Sequence, residues 1–310
     1  MSRKETFTQY IQELQETICA GIEAEDGRAV FQEDTWERSG GGGGRTRIIK
    51  DGNLIEKGGV NISMVHGVLP ESLQQQLNVN HGQFYACGLS LVLHPVNPMV
   101  PTVHANYRFF ELYNEAGEVA DTWFGGGADL TPYYVWPEDA IHFHQVLKRV
   151  SDPFGEPLYP LFKTACDDYF FNHHRKEARG IGGLFYDYLR EGKQGLSIDQ
   201  WQEYVQQMGE AFLEGYRPIA AKRKQEPYGE AEKHWQEIRR GRYVEFNLIH
   251  DKGTLFGLRS NGRIESILMS LPATVRWEYN HHPAPGSREA ELLEYLQPRD
   301  WASLASPTSV

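Results

Sequence analysis

Apolar residues at Phe7, Tyr10, Ile11, Leu14, Ile18 and Ile22 recur at three- and four-residue steps with Gln and Glu between them, which predicts an opening amphipathic helix that ends between Gly21 and Gly27. Residues 30–38 alternate as a strand does, five glycines follow from Gly40 to Gly44, and residues 45–50 resume an extended pattern. The glycine run has two readings: a hairpin connection, or a backbone segment that closes over a ligand. From Gly59 to Phe124 the chain stays rich in β-formers, with runs over 85–94, 102–113 and 119–124 separated by Pro, Asn and Gly. Such short connections leave no room for crossover helices, so neighbouring strands should be antiparallel. A helical period then takes over at 138–150, 158–177, 198–224 and 229–239, and a last hairpin of 242–250 with 253–259 precedes a helix over 264–270. Strands, then helices, then strands without a βαβ rhythm predict an α+β fold in which helices cover a mainly antiparallel sheet.

Composition narrows the function classes. The chain has 310 residues, 40% hydrophobic and 24% charged, enough for one body with a sizeable core, and no internal repeat divides it. Its formal charge of −11 repels polyanions, so nucleic acid is not expected as a partner and any anionic ligand must be met by local arginines. Cys19, Cys87 and Cys166 are odd in number and lack CxxC spacing, which suits a reduced cytoplasmic protein without a structural zinc. The charged start has no signal-like apolar core, and no stretch offers about 18 continuous apolar residues, so neither export nor membrane insertion is expected.

Within 102–113, His104, Asn106 and Arg108 are spaced by two, so one strand face carries an acid–base group, an amide and a permanent cation. Ser90 and His94 share the parity that an antiparallel turn would bring onto the same face. The alternative is the solvent face of an edge strand; Phe109, Phe110 and the apolar run from Leu89 to Leu93 favour a sheet covered on both sides. The segment from Trp123 to Tyr134 carries Gly125, Gly126 and Gly127 ahead of Asp129, which either caps a turn or faces a ligand. Neither GxxxxGK[ST] nor GxGxxG occurs there, so no phosphate cradle or dinucleotide site is expected. His142 and His144 fall on different sides of a predicted helix and cannot chelate together, and HExxH is absent. Single histidines from separate elements, His94, His104, His144 and His174, either converge on a metal or serve separately as core and surface residues. Arg259, Ser260, Asn261, Gly262 and Arg263 stand just ahead of the last helix, where Arg263 forms either part of an anion site or a rim salt bridge.

Several of these segments are similar to the oxygen-dependent coproporphyrinogen oxidase family: Gly58-Gly-Val-Asn-Ile-Ser63, His94-Pro, His104-Ala-Asn-Tyr-Arg-Phe-Phe110, Trp123-Phe-Gly-Gly-Gly-Ala-Asp-Leu-Thr-Pro132, Arg179-Gly-Ile-Gly-Gly-Leu-Phe-Tyr-Asp187, Arg242-Tyr-Val-Glu-Phe-Asn-Leu248, Gly253-Thr-Leu-Phe-Gly-Leu258 and Glu265-Ser-Ile-Leu-Met-Ser-Leu-Pro272. The resemblance spans most of the chain in order and implies a single domain over 1–310, a flat antiparallel sheet between helices, and a homodimer formed through 243–278. It also implies a cleft that closes over coproporphyrinogen III, whose two reacting propionates become vinyl groups of protoporphyrinogen IX in haem and, in phototrophs, chlorophyll synthesis. Oxygen is the implied co-substrate, and no flavin, nicotinamide or haem. Substrate contacts then fall on Ser90, Asn106, Tyr107, Arg108, Asn261, Gly262 and Arg263, with His104 as proton donor. Asn261 departs from the Gly common in bacterial relatives. Bacterial members are assigned a divalent metal whose ligands would be His94, His104, His144 and His174, whereas other members work without one. For the pyrrole N–H groups, an ionised aspartate is a suitable acceptor, and Asp129 and Asp251 are the candidates. Two rivals stand beside this reading: an oxygenase that depends on that metal, and a tetrapyrrole carrier without catalysis.

Overall fold

The computed structural model describes residues 1–69, 74–75, 82–259 and 262–304, with the side chains of Phe256 and Arg259 apart. Seven antiparallel strands form one sheet in the order β1 (Gln32–Glu37), β2 (Gly42–Lys50), β3 (Ile55–Val68), β4 (Gln83–Pro95), β5 (Thr102–Tyr113), β6 (Val119–Thr131) and β9 (Gly182–Leu189); a two-stranded ribbon, β7 (Phe171–Asn172) with β8 (Glu177–Ala178), stands apart from it. Sequential strands pair at every step up to β6, so the sheet is a meander, as the short connections required. Helices cover both faces, and the α+β expectation holds.

The first helix, α1 (Arg3–Asp26), starts at a capping box between Ser2 and Glu5 and stops at Gly27, whose φ of 70° suits glycine. Its apolar stripe packs on one sheet face together with α2 (Pro137–Ser151), α3 (Leu158–Tyr169), α4 (Ile198–Glu210) and α5 (Phe212–Arg223), and this is the main hydrophobic core. On the other face lie α6 (Glu230–Ile249), α7 (Lys252–Arg259) and α8 (Ile264–Leu268), and α9 (Arg288–Tyr295) follows near the C-terminal end. Gln236 and Arg240 of α6 both donate to the Pro95 carbonyl, which docks that helix over the end of β4.

Four expectations need correction. The 242–259 region is helical, not a hairpin: Tyr243, Phe246 and Asn247 are buried at the three- and four-residue steps that continue from Ile238 and Arg239, so the helix expected to stop at 239 runs to Ile249. The aromatic and β-branched content of so short a run resembled a strand, and the longer period decides it. The helix expected over 158–177 ends at Tyr169, where the chain enters the β7–β8 ribbon, whose two strands are joined by a turn with Lys176 at φ 57°. The 198–224 helix is two helices that meet at Ala211. Finally, β6 continues past Phe124 through the glycines to Thr131, so Asp129 sits in a strand instead of a turn. The glycine run forms the β1–β2 hairpin, with Gly41 and Gly42 at positive φ, and Gly42, Gly43 and Gly44 already belong to β2. All three cysteines are buried and free.

Candidate active site

Strand register builds the site in transverse rows. In one row His104 of β5 faces Val92 of β4 and Asp129 of β6; in the next Asn106 faces Ser90 and Gly127, and Ser90 in turn faces Asn61; in the third Arg108 faces Gly88 and Gly125. Residues opposite one another across antiparallel strands share a face. The period-two expectation therefore holds: His104, Asn106 and Arg108 look to one side together with Ser90, over a floor that Gly88, Gly125 and Gly127 keep free of side chains. At Gly125 a Cβ would lie 2.7 Å from both Arg108 Nε and Asp187 Oδ1. At Gly127 φ is 150° and a Cβ would collide with the Leu184 carbonyl.

A cavity of ≈ 270 Å³ lies between this floor and a roof from α6 to α8 and its flanks. Ser90, His104, Asn106, Arg108 and Asp251 all line it, as do Asn61, Tyr169, Phe170, Arg179, Tyr243 and Asn247, to which no role had been given. Arg179 carried a signal, the opening of an Arg-Gly-Ile-Gly-Gly match, but strand β9 beyond it had not been recognised, so nothing placed the guanidinium. Tyr243 and Asn247 were hidden by the mistaken hairpin. Much of the segment expected to form a dimer, 243–278, is the cavity roof in this chain.

The electrostatic centre is a chain of three residues. His104 Nδ1 is 2.8 Å from Asp129 Oδ1, and Arg179 Nη2 lies 2.8 and 2.6 Å from the two Asp129 oxygens. Asp129 and Arg179 are each 2% exposed at the side chain, whereas His104 is 22% exposed. Burial pushes the Asp129 carboxyl up, but the Arg179 charge and then His104 outweigh it, so the group is held below the usual aspartate range. Arg179 is itself stacked 4.0 Å over the Phe170 ring and 4.6 Å over Tyr243. With Nδ1 occupied, Nε2 is the ring nitrogen that His104 has left for the cavity. Asp129 consequently stands behind His104, with its oxygens engaged by His104 and Arg179.

Asp251 does line the cavity, held by the Tyr169 hydroxyl at 2.9 Å and the Thr254 N–H at 2.7 Å. Its oxygens retain lone pairs for further donors. Arg108 pairs with Asp187 at 3.0 Å and reaches the Asn106 amide oxygen at 3.3 Å. Three of the residues expected to touch substrate lie elsewhere. Tyr107 has the opposite parity, is 1% exposed in the main core and donates to the Met208 carbonyl. Gly262 turns back onto the Gly257 carbonyl outside the lining, and Arg263 forms a rim salt bridge with Asp34. Ser260 and Asn261 lie outside the described residues.

The family model for coproporphyrinogen III oxidase matches residues 6–301 of the 310. The chain belongs to this family. The oxidase is accordingly an oxidoreductase whose role lies in oxidative decarboxylation of coproporphyrinogen. Among its described residues no helix is long and apolar enough to cross a membrane.

The four histidines that the resemblance offered to a metal do not form one site in this oxidase. His94 lies between the Thr102 hydroxyl and the Ser270 carbonyl, and His144 between the Tyr159 hydroxyl and the Ile181 carbonyl. In each, one nitrogen donates to the carbonyl and the other accepts from the hydroxyl, so no lone pair remains for a cation. Burial pushes both down to a pKa of about 3, which keeps these rings neutral. His174 is bound at the surface between His250 and Glu245. Among the described residues no group of three or more His, Cys, Asp or Glu is arranged to hold an ion. The donor set does not fit the metal, and no step below passes through one.

Proposed function

We propose that this oxidase is the oxygen-dependent enzyme, converting two propionates of coproporphyrinogen III to the vinyls of protoporphyrinogen IX in haem synthesis, as a cytoplasmic homodimer. For each side chain the balance is R–CH2–CH2–COO⁻ + O2 + H⁺ → R–CH=CH2 + CO2 + H2O2. One proton is consumed per turn, so the reaction needs a donor at the oxygen, and His104 is the cavity group equipped for it. The observation that carries the reading is the His104–Asp129–Arg179 chain on the sheet face that also presents Arg108, Asn106 and Ser90.

Oxygen attacks the electron-rich pyrrole, the resulting peroxide takes a hydrogen from the propionate carbon next to the ring, and carbon dioxide leaves. His104 delivers the proton from Nε2. Asp129 fixes the tautomer and stabilises the imidazolium, and Arg179 keeps Asp129 ionised without a full unbalanced charge behind the ring. Asp251 accepts pyrrole N–H groups, and Arg108 grips a carboxylate with Asn106 and Ser90 beside it. Storage or transport of a tetrapyrrole would need the arginine and the open floor but not a cavity histidine backed by a buried Asp129–Arg179 pair.

The test is an anaerobic-to-aerobic shift of purified protein with coproporphyrinogen III, with and without chelator. Uptake of one O2 and release of one CO2 per vinyl formed, unaffected by chelation, is the expected result. Ligand binding without oxygen uptake would identify a carrier, and activity lost on chelation and regained with a divalent cation would identify the metal-dependent rival.

A further inference from the structure

The two cavity arginines hold their carboxylates differently. Arg179 and Asp129 are both 2% exposed, a pair that cannot open without stranding a buried charge. Arg108 and Asp187 are 38% and 32% exposed, and pairs of that kind are worth only about 0.2–1 kcal/mol. Asp187 is also outside the cavity lining, while Arg108 is inside it. Substrate therefore meets a guanidinium that already has an internal carboxylate, at a cost low enough to exchange.

Position along β5 gives that exchange a purpose. Arg108 and His104 are four residues apart, about 13 Å along the strand, and the Arg108 side chain lies across Gly125 with Nη1 reaching back only as far as Asn106. A propionate gripped by Arg108 is then not the one reacting at His104. Two propionates must react, so between the two turns the macrocycle moves and Arg108 must release one carboxylate and take another.

We infer that Asp187 is the exchange partner for Arg108: it takes the guanidinium whenever a propionate leaves, which makes the grip reversible and sets how readily the tetrapyrrole turns and departs. The inference rests on the coproporphyrinogen reading for the identity of the ligand. Asp187 is a positioning residue, since it acts through Arg108. Its side chain also accepts the Tyr188 N–H at 2.9 Å, a bond that asparagine can keep.

The experiment compares wild type with Asp187→Asn, using coproporphyrin III as an unreactive tetracarboxylate probe by fluorescence quenching, and coproporphyrinogen III for turnover. The Asn variant should bind the probe about 2- to 5-fold more tightly, the factor that about 0.4–1 kcal/mol implies. KM and kcat should fall together so that kcat/KM stays within about 2-fold, because a guanidinium without its exchange partner slows the turning and departure of the tetrapyrrole that follow binding. Free propionate should inhibit the variant more strongly than wild type, and Asp187→Glu should return probe affinity, KM, kcat and propionate inhibition toward wild type. Asp187→Ser, which removes the charge while keeping an acceptor for Tyr188, must reproduce the change if Asp187→Asn folds poorly. Unchanged or weaker probe binding in both neutral variants would overturn the inference, as would a fall in kcat with KM unchanged. Failure of the wild-type chain to bind the probe and to consume oxygen would instead sink the assignment beneath it.

Discussion

The two faces of β5 make the comparison on which the molecule turns. Odd positions Val103, Ala105, Tyr107 and Phe109 are at most 1% exposed and sit in the main core, where Phe109 packs with Phe7 and Phe124 at ring separations of 5.0–5.8 Å. Even positions His104, Asn106 and Arg108 are only partly buried and look over glycines into a cavity. One strand thus separates stability from chemistry by parity alone. Its core side is filled with bulky apolar groups in ordinary contact, and its other side is kept flat by residues without side chains. A bulky, carboxylate-bearing macrocycle needs the open surface of the second kind, and the packing of the first kind is what holds that surface in place.

The largest expected effect is on the cavity side. His104→Ala removes the proton donor proposed above but little packing, so kcat should fall about 10²- to 10⁴-fold with KM for coproporphyrinogen nearly unchanged. Steady-state kinetics with urea unfolding of the same sample checks both halves. A normal kcat would take His104 out of the reaction and leave the parity contrast without its chemical side.

Asp129→Asn tests where the two faces meet, because Asp129 serves His104 while being as buried as the core. Neutralising it strands the Arg179 charge, which should cost about 3–5 kcal/mol in unfolding free energy and lower turnover as well. The pH dependence has a definite sign. The folded pKa of Asp129 is depressed, so its contribution is fully present above the unfolded value near 3.9 and is lost as pH falls through the folded pKa. The gap between wild type and variant, measured by denaturant titration, should therefore be constant from neutral pH down to about 5 and close on the acid side below about 4. A gap that widened in acid would contradict the ionised state assigned to this carboxyl.

How much of this was legible in the sequence follows the same division. The shared direction of Ser90, His104, Asn106 and Arg108 was readable because a strand has a period of two and its turns were marked by Pro and Gly. Where Asp129 points was not, because glycines Gly125 to Gly127 resemble a loop unless a neighbouring strand is known to pack against them, and β9 had gone unrecognised. Arg179 and Tyr243 were out of reach for a related reason. They come from the ends of elements far apart in the chain, Arg179 just before β9 and Tyr243 within a helix mistaken for a hairpin, and only tertiary packing brings them to His104. The histidine quartet failed physically: a histidine can be placed by family position, but whether its lone pair is free depends on a hydroxyl and a carbonyl that sequence does not locate.

The smallest expected effect settles the residue on which resemblance and parity disagree. Family position made Tyr107 a substrate contact, whereas its odd parity turns it into the core, where its hydroxyl donates to the Met208 carbonyl at 3.2 Å. Tyr107→Phe removes that bond and keeps the ring, so unfolding free energy should drop by about 0.5–1.5 kcal/mol. If only the backbone of Tyr107 belongs to the sheet floor, KM and kcat should both stay within about 2-fold of wild type, since 0.4 kcal/mol is about the limit of what a core hydroxyl can transmit without moving β5. A rise in KM with stability unchanged would put the hydroxyl in contact with substrate and would mean that β5 changes its register when the ligand enters, because no side-chain rotation carries an odd-numbered residue through a paired strand to the other face.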